Sequence, residues 1–259
     1  MNKKKCNYHT HTLRCGHAEG SDEQYVKAAI MANFDILGFS EHMPYKEVDL
    51  VGERMLYKDI DEYLNSIEEL TIKYKDKIII KKAFEFEYIG NHDDYLYMMK
   101  DKVDYMIIGQ HFKFIDGYSY DQLTNDEDVL EYAQAIVEAC DKGLVDIIAH
   151  PDYFMLGRRD FSKACIEAAN MIGAAAKRNN VIVEINLNGL RYGKYKYKEG
   201  LLYPYPFRNL YIELEKYNLN YIYGYDAHKP ITLLEEERIT TVNEILKGIN
   251  LNIINELGE

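Results

Sequence analysis

The sequence predicts one α/β domain, a TIM-like barrel of parallel βα units with its working face at the C-terminal strand ends. Three observations predict it. Short apolar runs alternate with helix-period patterns from end to end of the 259 residues. That length fits one barrel-type domain, and no linker, internal repeat or low-complexity segment divides residues 1–259. Seven of the eight histidines, His9, His11, His17, His42, His111, His150 and His228, stand at or just past the downstream ends of the apolar runs. Strand–crossover–strand units wind right-handedly, so parallel strands bring those ends to one face.

The first run, Cys6–Tyr8, leads into His9. Ser21 with Gln24 three residues on reads as a capping box, and Val26, Ala29 and Ile30 follow at helical spacing. Ile36–Phe39 is the second strand and runs into Ser40-Glu41-His42. Asp59–Tyr74 reads as a helix with Ile60, Leu64, Ile67 and Leu70 on one face. Ile78–Phe86 is the third strand and carries Glu85; Tyr105–Ile108 is the fourth and precedes Gly109-Gln110-His111. Thr124 and Glu127 form a second predicted capping box, opening a helix to about Lys142. Val145–Ala149, the fifth strand, ends at His150-Pro151-Asp152, and Ser162–Asn179 is an Ala-rich helix. Val181–Leu187 is the sixth strand. Gly193–Tyr203 reads as a solvated, basic, tyrosine-rich loop. Pro206–Tyr217 reads as a helix with Pro206 in its first turn. Tyr221–Tyr225, the seventh strand, ends at Asp226-Ala227-His228, and a last helix spans roughly Leu233–Lys247. The tail Ile249–Glu259 receives no assignment.

Composition narrows the function classes. The formal net charge of −12 disfavours nucleic acid, whose binding needs a cationic surface. The Lys3–Lys5 cluster lacks the long apolar segment of a secretory signal, and no apolar run approaches membrane-spanning length. Cys6, Cys15, Cys140 and Cys165 lack CxxC spacing and read as reduced thiols of a cytoplasmic protein. Cys15 is near the histidines but is read as outside the ligand set.

Residues two apart on an extended strand point to the same side, so His9 and His11 can reach one ion, as can Asp226 and His228. Glu85 holds an equivalent strand-end position, and a carboxylate can bridge two ions. Alone, His42 or His111 would read as a hydrogen-bonded structural histidine, and Glu85 as a buried partner of Lys81 or Lys82. Together, seven imidazoles and two acids at strand ends read as a multinuclear metal site. Nitrogen and carboxylate ligands suit zinc, manganese or iron. His92, in the polar segment Asn91–Asp94, reads as an exposed loop residue.

The ordered motifs are Tyr8-His9-Thr10-His11-Thr12, Cys15-Gly16-His17, Gly38-Phe39-Ser40-Glu41-His42, Phe84-Glu85-Phe86-Glu87, Gly109-Gln110-His111-Phe112, Ala149-His150-Pro151-Asp152 and Tyr225-Asp226-Ala227-His228. They resemble those of the PHP (polymerase and histidinol phosphatase) family, in its histidinol-phosphatase branch. The resemblance implies a distorted (β/α)7 barrel with up to three divalent ions. It implies one ion on His9, His11, Glu85 and Asp226, a second on Glu85, His111 and His150, and a third on His17, His42 and His228. Three positions depart from the family pattern. Phe84 replaces the usual glycine, Glu87 an aspartate, and Gly-Gln-His a common Gly-Ser-Val-His.

The activity implied is metal-dependent hydrolysis of a small phosphomonoester, with L-histidinol phosphate as substrate. Paired ions activate water and offset charge on the phosphoryl oxygens. Arg191 is the first expected phosphate clamp, Arg158 or Arg159 the second and Arg14 the third. Asp152 or a metal-bound water is the expected general acid, and Glu41 and Glu87 are expected to receive the cationic amino alcohol. Competing readings are a nucleotide or sugar phosphatase of the same family, a metal-binding scaffold without turnover, and an amidohydrolase. The carboxylated lysine usual in the last has no clear counterpart here.

Overall fold

The apolar runs form the sheet they predict. The computed structural model describes residues 4–90, 92–115, 117, 119–122 and 124–258; Lys3, Asn91 and Glu259 lie outside the described residues. In chain order the elements are β1 (Cys6–Asn7), α1 (Asp22–Met31), β2 (Ile36–His42), α2 (Ile60–Tyr74), β3 (Ile79–Phe86), α3 (Asp93–Lys100), β4 (Tyr105–Ile108), α4 (Asp126–Asp141), β5 (Ile147–Ile148), α5 (Lys163–Asn179), β6 (Ile182–Asn186), β7 (Tyr195–Tyr197), β8 (Gly200–Leu202), α6 (Arg208–Glu215), β9 (Asn220–Gly224), α7 (Glu237–Ile245) and β10 (Asn252–Ile253). The large sheet runs β1-β2-β3-β4-β5-β6-β9-β10, every neighbouring pair parallel. Seven of its strands are those expected, and the eighth comes from the unassigned tail.

The barrel closes in two places. At the C-terminal end, Thr10 bridges Ala227, with His11 N donating to Ala227 O at 3.0 Å and Ala227 N to His9 O at 3.2 Å. At the other end the tail fills the seam between β9 and β1. Ile254 N donates to Tyr221 O at 2.9 Å, Leu257 N to the Tyr8 hydroxyl at 3.3 Å, and the Cys6 thiol to Asn255 O.

Two apolar clusters hold the fold. The larger packs the helices on the outside of the sheet. The smaller, Tyr8, Ile36, Ala83, Tyr105, Ile107, Ile147, Ala149, Ile222 and Ile254, fills the lower lumen. Strand alternation carries the inward face upward from this plug: Ala83 leads to Glu85, Ile107 to Gly109 and His111, and Ile222 to Gly224 and Asp226. Gly38 is required in the lower lumen, because a Cβ there would stand 1.9 Å from the Tyr105 hydroxyl.

Several local expectations shift. The α1 capping box forms, with Ser21 N donating to Gln24 at 2.8 Å. The α4 box sits one residue later: Asn125 Oδ1 accepts from Asp128 N at 3.0 Å, and Asp128 accepts in return from Asn125 N at 3.0 Å. Thr124 instead turns its hydroxyl to Tyr120 O, 2.8 Å away. Pro206 lies outside α6, preceding its N-cap Phe207. Gly193–Tyr203 contains the antiparallel hairpin β7–β8 rather than a featureless loop. His92 is half-buried at the N-cap of α3, its Nδ1 3.0 Å from Ile89 O, and so is neither exposed nor in a plain loop.

Candidate metal centre

The upper lumen gathers all nine expected ligands. His9 and His11 follow β1, His42 ends β2, Glu85 lies near the end of β3, and His42 and Glu85 are register partners across the β2–β3 pair. His111 follows β4, His150 follows β5, and Asp226 and His228 follow β9. His17 stands just beyond the short 3-10 turn Leu13–Cys15. His150 and Asp226 hold positive φ, 25° and 45°, in a region that non-glycine residues enter at a cost of about 1–3 kcal/mol. Both bends turn a ligand into the lumen.

Glu85 is the centre of the arrangement. Its Oε1 lies 2.9 Å from His150 Nε2, 3.3 Å from His9 Nε2 and 3.7 Å from His111 Nε2. Its Oε2 lies 3.0 Å from His42 Nδ1 and 3.3 Å from His11 Nε2. Asp226 Oδ1 lies 3.5 Å from His11 Nε2, 3.7 Å from His9 Nε2 and 3.2 Å from His228 Nδ1. Gly109 makes room for this carboxylate, since a Cβ there would stand 1.8 Å from Glu85 Oε1. Lys81 and Lys82 turn away to Asp104 and Glu68, so neither neutralises Glu85.

The donor set fits divalent ions. His9 Nε2 and His11 Nε2 face each other at 3.0 Å, as do His17 Nε2 and His228 Nε2. Two ring nitrogens approach so closely only when a proton or a cation lies between them. Groups of at least three donors within 4.8 Å of one another are His9/His11/Asp226, His9/Glu85/His150, His11/His42/His228 and His42/Glu87/His111. A further group joins Cys15 to His17 and His228. The Cys15 thiol, however, donates to Thr12 O at 3.2 Å, and burial pushes its pKa up to about 12.

Electrostatics divide the centre. Burial alone would raise the Glu85 and Asp226 carboxyls, yet the surrounding imidazoles hold both well below their ordinary range. Burial would likewise depress His9, but Glu184, Glu85 and Asp226 raise it well above its usual value. Desolvation, then His42 and His228, push His11 well down and His17 to about 4. The Glu85 and Asp226 carboxyls are therefore held ionised, while His11 and His17 are held neutral with lone pairs available.

Behind the ligands lie two carboxylates, Glu87, expected to serve the site, and Glu184, which the sequence does not single out. Glu184 on β6 is 1% exposed; its Oε1 lies 2.7 Å from His9 Nδ1, and its Oε2 accepts from His150 N at 3.1 Å and Asn186 at 2.8 Å. A carboxylate in this position fixes the imidazole so that Nε2 faces inward. Gly224 accommodates it, as a Cβ would come within 1.7 Å of Glu184 Oε1. Glu87 lies 3.2 Å from His111 Nδ1 and is held below the ordinary carboxyl range against its burial by Arg54 and His111.

Above the ligands opens a cleft of about 370 Å³, with His17, His42, His111, Asp226 and His228 in its floor. Arg191, Tyr192, Tyr205, Tyr153 and Phe112 form walls, and Glu53 and Asp121 supply negative charge. Arg191 stacks on Tyr192, 4.7 Å from the ring centroid, and donates to its hydroxyl at 2.7 Å. The other expected clamps are spent elsewhere. Arg158 is buried against Thr124 O, Asp126 and Asp160; Arg159 turns to Leu156 O and the Tyr195 ring; Arg14 pairs with Asp22 and Glu62. Asp152 is fully buried and accepts from Phe207 N at 2.5 Å, outside the cleft walls. Glu41 is buried, is absent from the cleft lining and accepts from Thr12 N at 2.5 Å, and burial raises its carboxyl to about 8. Glu87 is committed to His111 and Arg54. None of these five residues, nor Glu87, lines the cleft.

Comparison with known proteins agrees with the geometry. The chain is 24% identical over 238 residues to a Deinococcus radiodurans protein named "Probable histidinol-phosphatase", covering 87% of this chain and 86% of that one. It is 26% identical over 142 residues to a Bacillus subtilis histidinol-phosphatase, covering 51% and 52%. The crystal structure of a Lactococcus lactis histidinol phosphate phosphatase, complexed with zinc, L-histidinol and phosphate, superposes with a TM-score of 0.71. It is 19% identical and covers 98% of this chain and 96% of that one, which establishes the distorted barrel fold. The PHP domain profile matches residues 7–188. This chain belongs to the PHP domain family.

Proposed function

We propose that the protein is a metal-dependent phosphomonoesterase that hydrolyses L-histidinol phosphate to L-histidinol and phosphate. The observation that carries the reading is the place of Glu85: Oε1 faces His9, His111 and His150 and Oε2 faces His11 and His42, so one carboxylate stands among the proposed ligands of two ions and can bridge them. The names of the Deinococcus and Bacillus relatives and the ligands of the Lactococcus enzyme favour this substrate over a nucleotide or sugar phosphate.

In this reading His9, His11, Glu85 and Asp226 hold one ion, Glu85, His111 and His150 a second, and His17, His42 and His228 a third. Two to three ions of zinc, manganese or iron meet that donor set. Bound ions supply Lewis acidity toward the phosphoryl oxygens and bring the pKa of water toward neutrality. Arg191 binds the phosphate from the cleft wall, and its stacking on Tyr192 keeps the guanidinium plane oriented. Asp121 and Glu53, in place of Glu41 and Glu87, receive the positive amino alcohol. Tyr153, Tyr205 and Phe112 exclude bulk water from the sides. Turnover takes place in a single domain over residues 1–259, in the cytoplasm, without nucleic acid or membrane. Among the described residues no helix is long and apolar enough to cross a bilayer.

The test is a panel of phosphomonoesters assayed with protein reconstituted in zinc, manganese or iron. L-Histidinol phosphate is expected to give the highest kcat/KM. Another ester turned over at least about tenfold faster, a difference of ~1.4 kcal/mol, refutes the substrate and leaves the hydrolase reading standing.

A further inference from the structure

Behind His111 lies a buried cation that the proposed chemistry does not use. Arg54, in the segment between β2 and α2, is 2% exposed. Its guanidinium carbon lies 5.2 Å from the centroid of the Tyr45 ring and 5.4 Å from that of Phe112. Nη1 donates to Glu87 Oε2 at 3.2 Å and to Met43 O at 3.4 Å, while Nε and Nη2 find no hydrogen-bond partner among the described residues. A buried ion so sparsely solvated costs several kcal/mol unless a counter-ion offsets it. Glu87 is that counter-ion, itself 2% exposed.

The two oxygens of Glu87 are divided. Oε2 meets Arg54, and Oε1 faces His111 Nδ1 at 3.2 Å. The Tyr45 hydroxyl also donates to the Glu87 carbonyl, so backbone and side chain are both tied. An imidazole that gives its Nδ1 proton to a carboxylate carries its lone pair on Nε2. In His111 that atom points at Glu85 Oε1, 3.7 Å away. Arg54 is absent from the cleft walls, so it touches no substrate.

We infer that Arg54 is a positioning residue: acting through Glu87, it fixes His111 with Nδ1 protonated and Nε2 turned to the metal centre. The inference rests on the reading that His111 holds an ion, and zinc binding by the parent chain separates the two. Full-length protein is stripped of metal and titrated with zinc against a competing chelator, with Tm recorded for each variant. A parent that binds no zinc overturns both. With a zinc-binding parent, Glu87→Gln is expected to weaken zinc binding about ten- to a hundred-fold. Arg54→Met should weaken it by a similar factor, and Arg54→Lys should recover part of the loss. The double variant Arg54→Met/Glu87→Gln should bind no more weakly than the worse single, because one residue acts through the other. Losses that multiply in the double variant, or unchanged affinity in a folded Glu87→Gln protein, overturn the inference. One measurement needs no substitution. In ¹⁵N spectra of the zinc-loaded parent, His111 Nδ1 should carry the proton and Nε2 the zinc-induced shift; coordination through Nδ1 overturns the inference even if the variants fail to fold.

Discussion

The lower and upper halves of the barrel lumen are built by the same strands and carry opposite chemistry. Below, Ala83, Ile107 and Ile222 close a dry apolar plug. One inward step higher on β3, and two higher past β4 and β9, come Glu85, His111 and Asp226. The plug stabilises the fold by ordinary burial, roughly 1.5–3 kcal/mol for each large side chain. The upper layer opposes folding on its own, because buried carboxylates and crowded imidazoles are costly without a counter-charge. The apolar floor also keeps water from below and lowers the local dielectric, so a cation above it is held more strongly. The difference teaches that stability and function separate within two to four residues of one strand.

Substitutions break or sharpen that separation. The largest effect belongs to Glu85→Ala. It removes the carboxylate shared by the proposed inner ions and should lower kcat/KM by several kcal/mol, about a thousand-fold, while leaving far-UV circular dichroism intact. Any single histidine variant that costs more would displace Glu85 from the centre of the account. Ile107→Ala should do the reverse. It should cost about 2–5 kcal/mol of stability in a denaturant titration, with metal content per folded chain unchanged. Loss of metal from the folded variant would show that plug and centre are not separable. Arg191→Ala acts on substrate alone and should reduce kcat/KM about ten- to a hundred-fold, with Arg191→Lys recovering part. Steady-state kinetics at fixed metal loading check this. His92→Ala should be the mildest, within about 0.5 kcal/mol in stability and indistinguishable from the parent in turnover.

The parts of the molecule legible in sequence are those with a local signature. Strands such as Tyr105–Ile108 are read from their apolar runs, and histidines from their rarity and placement at strand ends. Elements defined by distant pairing are not legible. β10 is two residues whose strand character exists only beside β9. The hairpin β7–β8 is short and largely exposed, so its Tyr195/Tyr197 alternation resembles a polar loop. α3 begins with Asp93 and Asp94 and buries only Leu96 and Met99, too little periodicity to stand out. Among charged residues, partner choice is tertiary. Of Arg14, Arg158, Arg159 and Arg191, only Arg191, the first expected clamp, lines the cleft; the acids and carbonyls that engage the other three are set by the fold. Glu184 and Arg54 read as ordinary charges until the fold sets them behind His9 and, through Glu87, His111.

The most direct test of the central claim is elemental analysis of zinc-reconstituted protein, parent beside Glu85→Ala. A multinuclear centre organised on one carboxylate predicts two to three tightly held ions per parent chain and at most one in the variant. Less than one ion in the parent, or equal content in both, would contradict it.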